Sequence, residues 1–351
     1  MLYIKQKNYL IKMMFHDLKE TKKTNDFQIQ LLKNILDIIY DKKNNQNNII
    51  EYYIEQQNDF CDNPKKYFNK FIEKQIILKN AIFNEFSFKF YMFKKKTLLN
   101  FDLKNGVYEY EISNNIIEAL LYYSKKKNIS NKKDIIMIDI GGNIGWYSSL
   151  LGKLGYSVLS FEPLEMNYYV SMKNYCNINN NSNVIIINKG LGNEDMTCDY
   201  YKDITLFSNG MVICNKSKIE NKNIGKRFKK ASDVKLTRLS NFIPYLKNKN
   251  IALIKLDVEG AEGKAIESGI ELITNFHVPF IEMEFTPSFL LEHGTNPLNF
   301  LKLLVNNGYK ISLNGFLKKE YITEEDLMKI VGHHTICYFI NKEIIDERTE
   351  N

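Results

Sequence analysis

Between Phe27 and Tyr40 the apolar residues Phe27, Leu31, Leu32, Ile35, Leu36, Ile38 and Ile39 recur mostly at intervals of three and four, which predicts an amphipathic helix. Asn44 to Asn48 reads as a loop, and a second helix is predicted over Lys65 to Leu78. The period then drops to two at Phe86, Phe88, Phe90 and Met92, the alternation of a strand. Asn105-Gly106 stands between the apolar runs Leu99 to Leu103 and Val107 to Ile112 and predicts a hairpin turn. A helix through Ile116 to Tyr123 then leads into a lysine-rich link at 125–133. Beyond Lys133, short apolar runs alternate with amphipathic stretches. Strands are predicted at Ile135 to Ile138, Val158 to Phe161, Val184 to Ile187, Ile251 to Leu256 and Phe280 to Phe285, with Lys310 to Leu313 and Thr335 to Ile340 available to complete a sheet. This alternation is the signature of a doubly wound α/β domain. The stretch from Ile187 to Ile251 is too long for a simple crossover and predicts extra hairpin strands.

Composition narrows the class. With 351 residues, 44% of them hydrophobic, the chain can bury a real core. No stretch approaches the roughly 18 uninterrupted apolar residues of a membrane-spanning helix. The N-terminus mixes charges throughout and lacks the apolar core of a secretory signal, so the chain reads as soluble and cytoplasmic. Cys61, Cys176, Cys198, Cys214 and Cys337 are odd in number, widely spaced and without a C-x-x-C pair, so neither a disulfide framework nor a cysteine zinc site is expected.

The net charge of +7 is unevenly placed. Residues 1–133 carry 24 basic and 15 acidic groups, whereas 134–351 carry 24 and 26. Lys216 to Arg238 alone holds nine basic and two acidic residues. Three regions follow: a basic, mainly helical extension at 1–95, a lead-in of strand and helix at 96–133, and an α/β domain at 134–345 with a basic insertion at about 202–235.

The chemistry concentrates in IIMIDIGGNIGWYSSLLGKLGYSVLSFEP, Ile135 to Pro163, which reads as strand, glycine loop, helix, strand. Gly141, Gly142 and Gly145 remove β-carbons where a backbone must turn and a ligand approach closely. The dinucleotide fingerprint G-x-G-x-x-G is not met, because Asn143 and Trp146 occupy its glycine positions, and no G-x-x-x-x-G-K-[ST] phosphate loop is present. What remains is D-x-G-x-N-x-G, with Asp139 at the strand end. A carboxylate there repels a diphosphate and suits an ammonium group, such as that of S-adenosylmethionine. Glu162, 23 residues further on at the next strand end, is placed to accept hydrogen bonds from ribose hydroxyls. The competing structural reading makes Asp139 a helix cap and Glu162 an exposed strand end.

A second constellation is IALIKLDVEGAEGKAIESG, Ile251 to Gly269. Asp257 ends a buried strand at the same carboxyl edge, and Glu259 and Glu262 flank Gly260 where a helix begins. Glu262 reads equally as a cap complementing the helix dipole. Glu282 and Glu284 lie on one side of the following strand, as site residues or as buried paired acids.

MIDIGGNIGWYSSLLGKLGYSVLSFEP, followed by VKLTRLSNFI, LIKLDVEGAEGKAIESG and IEMEF, resembles the FkbM-type family of S-adenosylmethionine-dependent methyltransferases over about residues 135–313. The resemblance implies a class I methyltransferase, Rossmann-like sheet of seven strands with the last antiparallel. It implies an O-methyltransferase acting on hydroxyls of sugars or other natural products, with S-adenosyl-L-methionine as cofactor. By motif match Asp139, Gly141, Gly142, Asn143 and Gly145 surround the methionine part and Glu162 the ribose. Gly142 departs from the alanine usual in the family, a change expected to be tolerated.

Methyl transfer to an alcohol needs alignment of the oxygen with the methyl group and a general base. Asp257 is the first candidate, then Glu259, with His293 behind them. Asp257, Glu259 and Glu284 lack a diagnostic metal spacing, so no metal is assigned. The insertion KSKIENKNIGKRFKK reads as a solvated loop before a nucleic-acid contact, since its lysines lack interleaved aromatics. The surplus charge of the N-terminal half either docks an anionic partner or keeps a helical cap soluble. An RNA methyltransferase and a catalytically inactive binding module stand as alternatives to a glycan or small-molecule enzyme.

Overall fold

The computed structural model describes residues 49–94, 106–178, 183–204, 210–214, 228–332 and 335–346. The chain divides into two compact units, Met1–Ile49 and Ile50–Asn351, and all the described residues but Ile49 belong to the second. The helix expected at Phe27 to Tyr40, the loop at 44–48, the run Leu99 to Leu103 and most of the basic insertion lie outside the described residues.

Helix α1 covers residues 49–62. The expected helix over Lys65 to Leu78 is reduced to one turn, Lys70–Glu73, capped by Asn69, whose side chain accepts from the N–H groups of Phe71 and Ile72. Strand β1 (Ile76–Phe83) takes the remainder and pairs antiparallel with β2 (Phe86–Phe93), Phe83 facing Phe86. The aliphatic run Ile76-Ile77-Leu78 follows the strand propensity that pairing with β2 rewards, and this overrides the local helical spacing. The apolar run after Gly106 does not form a strand either. Helix α2 (Tyr110–Lys126) begins inside it and absorbs the helix expected at Ile116 to Tyr123.

The seven-stranded sheet is built from β3 (Ile135–Ile140), β4 (Ser157–Phe161), β5 (Val184–Ile187), β10 (Asn250–Leu256), β11 (Phe280–Phe285), β12 (Tyr309–Ser312) and β13 (Thr335–Asn341). Its order is β12-β13-β11-β10-β3-β4-β5. The last strand in sequence, β13, is antiparallel to both its neighbours, as expected. Strand order reverses between β3 and β10, the place where open α/β sheets leave a crevice at their carboxyl ends.

Alternation along these strands sends Ile135 and Met137, Val158, Leu253 and Phe280 into one core with Ile116 and Leu120 of α2 and Leu150 and Leu151 of α3 (Trp146–Lys153). On the other face Phe161 meets Phe242 at 5.0 Å between ring centroids. The lead-in belongs to the same core. Phe83 and Phe90 are each 1% exposed within it, and buried Gln57 of α1 satisfies the outer edge of β5, donating to Val184 O at 3.0 Å and accepting from Ile186 N at 2.8 Å.

The long stretch between β5 and β10 does hold extra strands. β6 (Gly190–Leu191), β7 (Met196–Asp203), β8 (Gly210–Ile213) and β9 (Phe228–Thr237) form a second sheet in the order β6-β9-β7-β8. The cysteines depart from expectation. Cys61 of α1 is bonded to Cys176 at the end of α4 (Glu165–Cys176), and Cys198 of β7 to Cys214 just after β8. The partners are 115 and 16 residues apart, so no short motif announces them; the fold brings them together. Cys337 stays a buried free thiol in β13.

Candidate active site

At the end of β3 the chain turns through Gly141 at φ 89°, Asn143 at φ 48° and Gly145 at φ 81° before α3 begins. Gly141 is fixed by the neighbouring strand. A Cβ built there would lie 1.9 Å from the Asp257 carbonyl oxygen, while Asp257 N donates to Ile140 O at 3.0 Å. The two sequence motifs therefore meet through their backbones, and only glycine permits the approach.

A cavity of about 740 Å³ opens at these carboxyl ends. Of the expected site residues, Gly141, Asn143, Glu162, Asp257, Glu259 and His293 all line it. Asp139, Gly142 and Gly145 stand behind its wall. Asp139 is 1% exposed, with Ser148 and Ser160 donating to its Oδ2 at 3.4 and 3.3 Å, while its Oδ1 is buried without a hydrogen-bond partner. Burial raises its pKa to about 6. Glycine at 142 is accommodated, as expected, and leaves room for Ser160: an added Cβ would sit 2.1 Å from Ser160 Oγ, the hydroxyl that supports Asp139. Glycine at 142 and serine at 160 share one space.

Glu162 is 5% exposed and holds the loop directly, its Oε2 accepting from Asn143 N and its Oε1 from Leu164 N, both at 2.8 Å. Burial outweighs these two donors and pushes its pKa up to about 8. Asn143 Oδ1 is buried and unpaired. Orphaned acceptors beside a tight glycine loop suit a ligand that brings N–H or O–H donors, as the amino-acid and ribose parts of S-adenosylmethionine do.

Past β10, Glu259 adopts φ 53° and Gly260 φ 104°. Glu262, the first residue of α5 (Glu262–Glu267), braces the turn before the helix, its Oε1 accepting from Val258 N and Gly260 N at 3.2 Å each. His293 follows the helix α6 (Pro287–Glu292) and reaches the same cavity. Trp146 is 2% exposed and packs on Phe88 and Phe90, its Nε1 donating to Ser113 Oγ at 3.0 Å; it lies in the core and not on the cavity wall. Among the described residues no group of three or more His, Cys, Asp or Glu is disposed to hold a metal ion.

Residues 139–311 match the methyltransferase FkbM domain. The match spans just under half of the 351 residues of the chain. No curated protein matches it. Among solved structures, WbdD, a bifunctional kinase-methyltransferase, aligns at 11% identity over 68% of this chain and 42% of its own, with a TM-score of 0.38. Magnesium protoporphyrin IX methyltransferase (ChlM) from Synechocystis PCC 6803, with bound SAM, aligns at 10% identity over 70% and 85%, with a TM-score of 0.35. The T. thermophilus 16S rRNA N2 G1207 methyltransferase (RsmC) aligns at 10% over 76% and 51%, with a TM-score of 0.33. The chain thus spans about two fifths of the length of WbdD.

Between residues 139 and 311, sequence reasoning passed over two sets of residues. Met196 and Tyr200 of β7, Val212 of β8 and Leu236 of β9 give the cavity an apolar wall from the second sheet. Lys255 is the other omission. It is 3% exposed, with its Nζ 3.1 Å from Asp257 Oδ2 and 3.8 Å from Glu282 Oε2, and it stands 5.0 Å above the Tyr147 ring. A lone lysine in the apolar run Ile-Ala-Leu-Ile-Lys-Leu was the available signal, because lysine is almost never fully buried without a partner.

Proposed function

We propose that the FkbM domain transfers a methyl group from S-adenosylmethionine to a hydroxyl of a sugar, glycan or related small molecule. When bound, that cofactor supplies an electrophilic methyl on a sulfonium. The glycine loop, Asn143 and Glu162 hold its amino-acid and ribose portions, with Asp139 supporting the loop from beneath. Asp257 faces the cavity with its side chain 31% exposed and takes the hydroxyl proton as the oxygen–methyl bond forms and the sulfur–methyl bond breaks. Glu259 and His293 lie on the same wall and orient the acceptor.

The observation that carries the choice of acceptor is the charge of the wall. Among the described lining residues are Glu194, Asp257, Glu259 and Glu292 against one lysine, Lys264, while burial favours the protonated form of Glu162. Such a wall repels a polyanion and accepts a neutral polyol, which supports a sugar hydroxyl over RNA. The two disulfides favour an oxidising compartment over the cytoplasm expected from the sequence.

The test pairs calorimetric titration with S-adenosylmethionine and label transfer from its methyl-labelled form to a panel of methyl glycosides, RNA, lipid and protein from host extract. Binding that weakens in Glu162→Ala, with label in the glycosides, is expected. No binding, or label in RNA alone, removes this reading.

A further inference from the structure

The registers of three adjacent strands place Lys255 of β10 opposite Asp139 of β3 on one side and Glu282 of β11 on the other. In parallel neighbours at one register the side chains share a face, so the three form a row, acid–lysine–acid, beneath the cavity floor. Two further groups close over the lysine from that face. Tyr147 of α3 presents its ring, and Glu109, at the start of α2 with φ 44°, accepts from the Tyr147 hydroxyl at 2.6 Å. Asp257 is two residues on from Lys255, on the same side, and is the member of the group that reaches the cavity.

Four carboxylates therefore surround one ammonium. Burial alone would pull the lysine's pKa down, but Asp257, Glu282, Glu109 and Asp139 together hold it well above its ordinary value. Lys255 stays charged through the neutral range and neither takes nor gives the reaction proton. A buried ion cluster of this kind is a weak stability device, since apolar residues of similar volume often serve as well or better. What it does supply is direction. The stem runs along β10 to the next same-side residue and delivers a donor to Asp257 Oδ2 at 3.1 Å.

We propose that Lys255 is a positioning residue for methyl transfer: its ammonium, caged by Asp139, Glu282, Glu109 and the Tyr147 ring, holds the Asp257 carboxylate turned towards the acceptor. The proposal rests on Asp257 being the base. It also assigns a task to Glu109 and α2, which precede the matched domain: they close the cage and couple the lead-in to the site. The other titratable groups facing the cluster, among the described residues, include Tyr108 beside Glu109, Glu162 beside Asp139, Glu262 beside Asp257, and Glu284, Cys337 and Tyr338 around Glu282.

The experiment compares the full chain with Lys255→Met and Lys255→Arg in three measurements: crystal structures, calorimetric affinity for S-adenosylmethionine, and the initial rate of label transfer to the best methyl glycoside of the panel. In Lys255→Met the Asp257 carboxylate should rotate away from its present position and the rate should fall by about 10- to 100-fold, the scale of a misaligned reacting group. Cofactor affinity should stay within about threefold of wild type, and Lys255→Arg should restore part of the rate. Where the single variant does not fold, Lys255→Met/Glu282→Met removes the ammonium together with one of the most deeply buried of its acids, and the same outcomes apply. An unchanged Asp257 rotamer, a rate within about threefold of wild type, or cofactor affinity lost in step with rate overturns the proposal. Failure of the wild type to bind the cofactor or transfer label sinks the functional reading instead, and the crystallographic comparison still decides the role of Lys255.

Discussion

Gly141 and Glu162 hold the cofactor loop by opposite means, one by having no side chain and the other by burying a carboxyl. Gly141→Ala must place a Cβ where the Asp257 carbonyl oxygen lies 1.9 Å away, at a φ of 89° that alanine rarely adopts. Relief requires β3 and β10 to part at the site. The variant should therefore lose at least about tenfold in S-adenosylmethionine affinity and show a lower melting temperature, measured by calorimetry and differential scanning fluorimetry. Glu162 gives a pH signature. Burial raises its pKa in the folded protein to about 8, against an ordinary 4.5, so the folded state binds more protons than the unfolded one between those values. Its contribution to stability is therefore greatest at acidic pH and is lost as pH rises from about 4.5 to about 8. Asp139, raised to about 6, adds in the same direction over its own lower window. Melting temperatures of the ligand-free protein should fall across this window more steeply in the wild type than in Glu162→Gln, and parallel curves would show that Glu162 is not the group responsible.

Strand β8 is the most dependent element of the cavity. It is an edge strand held to β7 by the pairs Asp199 to Ile213 and Lys202 to Gly210, and beyond Ile213 by the Cys198–Cys214 bond. The bond closes a loop of 16 residues, a restraint on the order of 3 kcal/mol in the chain-entropy view. Cys198→Ser/Cys214→Ser should raise amide exchange across 210–214 and raise the acceptor KM, while affinity for the cofactor, whose proposed site is against β3 and β4, stays unchanged. Exchange mass spectrometry and steady-state kinetics read the two effects separately. The contrast between sheets explains what a single sequence could reveal. All seven strands of the central sheet were legible because each is a short apolar run bounded by turns, and β5 and β11 begin and end where the pattern placed them. β7 and β9 were expected only as unplaced hairpin strands, because one of their faces is polar and their pairing is long-range. The glycine loop, Glu162 and Asp257 were legible as strand-end chemistry. Lys255 was not, since its meaning depends on acids from β3, β11 and the turn before α2, which only the strand registers bring together.

For the molecule as a whole, the disulfides and the core bear together on how far the folded unit extends beyond residues 139–311 and under what conditions it holds. Phe60, Ile72 and the β1–β2 hairpin pack into the core of the seven-stranded sheet, Gln57 satisfies the edge of β5, and Cys61–Cys176 fastens α1 to α4. Truncation to the matched residues 139–311 would strip the sheet of α2, of the hairpin that covers Trp146 and of Glu109 from the Lys255 cage. Closing 115 residues is worth on the order of 4 to 5 kcal/mol in the same entropic view, a large part of the net stability of a typical domain. A reducing compartment would remove that restraint, whereas an oxidising one preserves it. Thiol labelling followed by mass spectrometry tests the arrangement without an activity assay. The native protein should take up no label because Cys337 is buried, the denatured but unreduced protein one label at Cys337, and the reduced and denatured protein five. Reductant should also lower the melting temperature of the wild type and leave that of Cys61→Ser/Cys176→Ser, measured with the second bond already removed, unchanged. Five labels on denatured, unreduced protein purified from its native source would place the chain in a reducing environment, and the fold would then have to stand on its core alone.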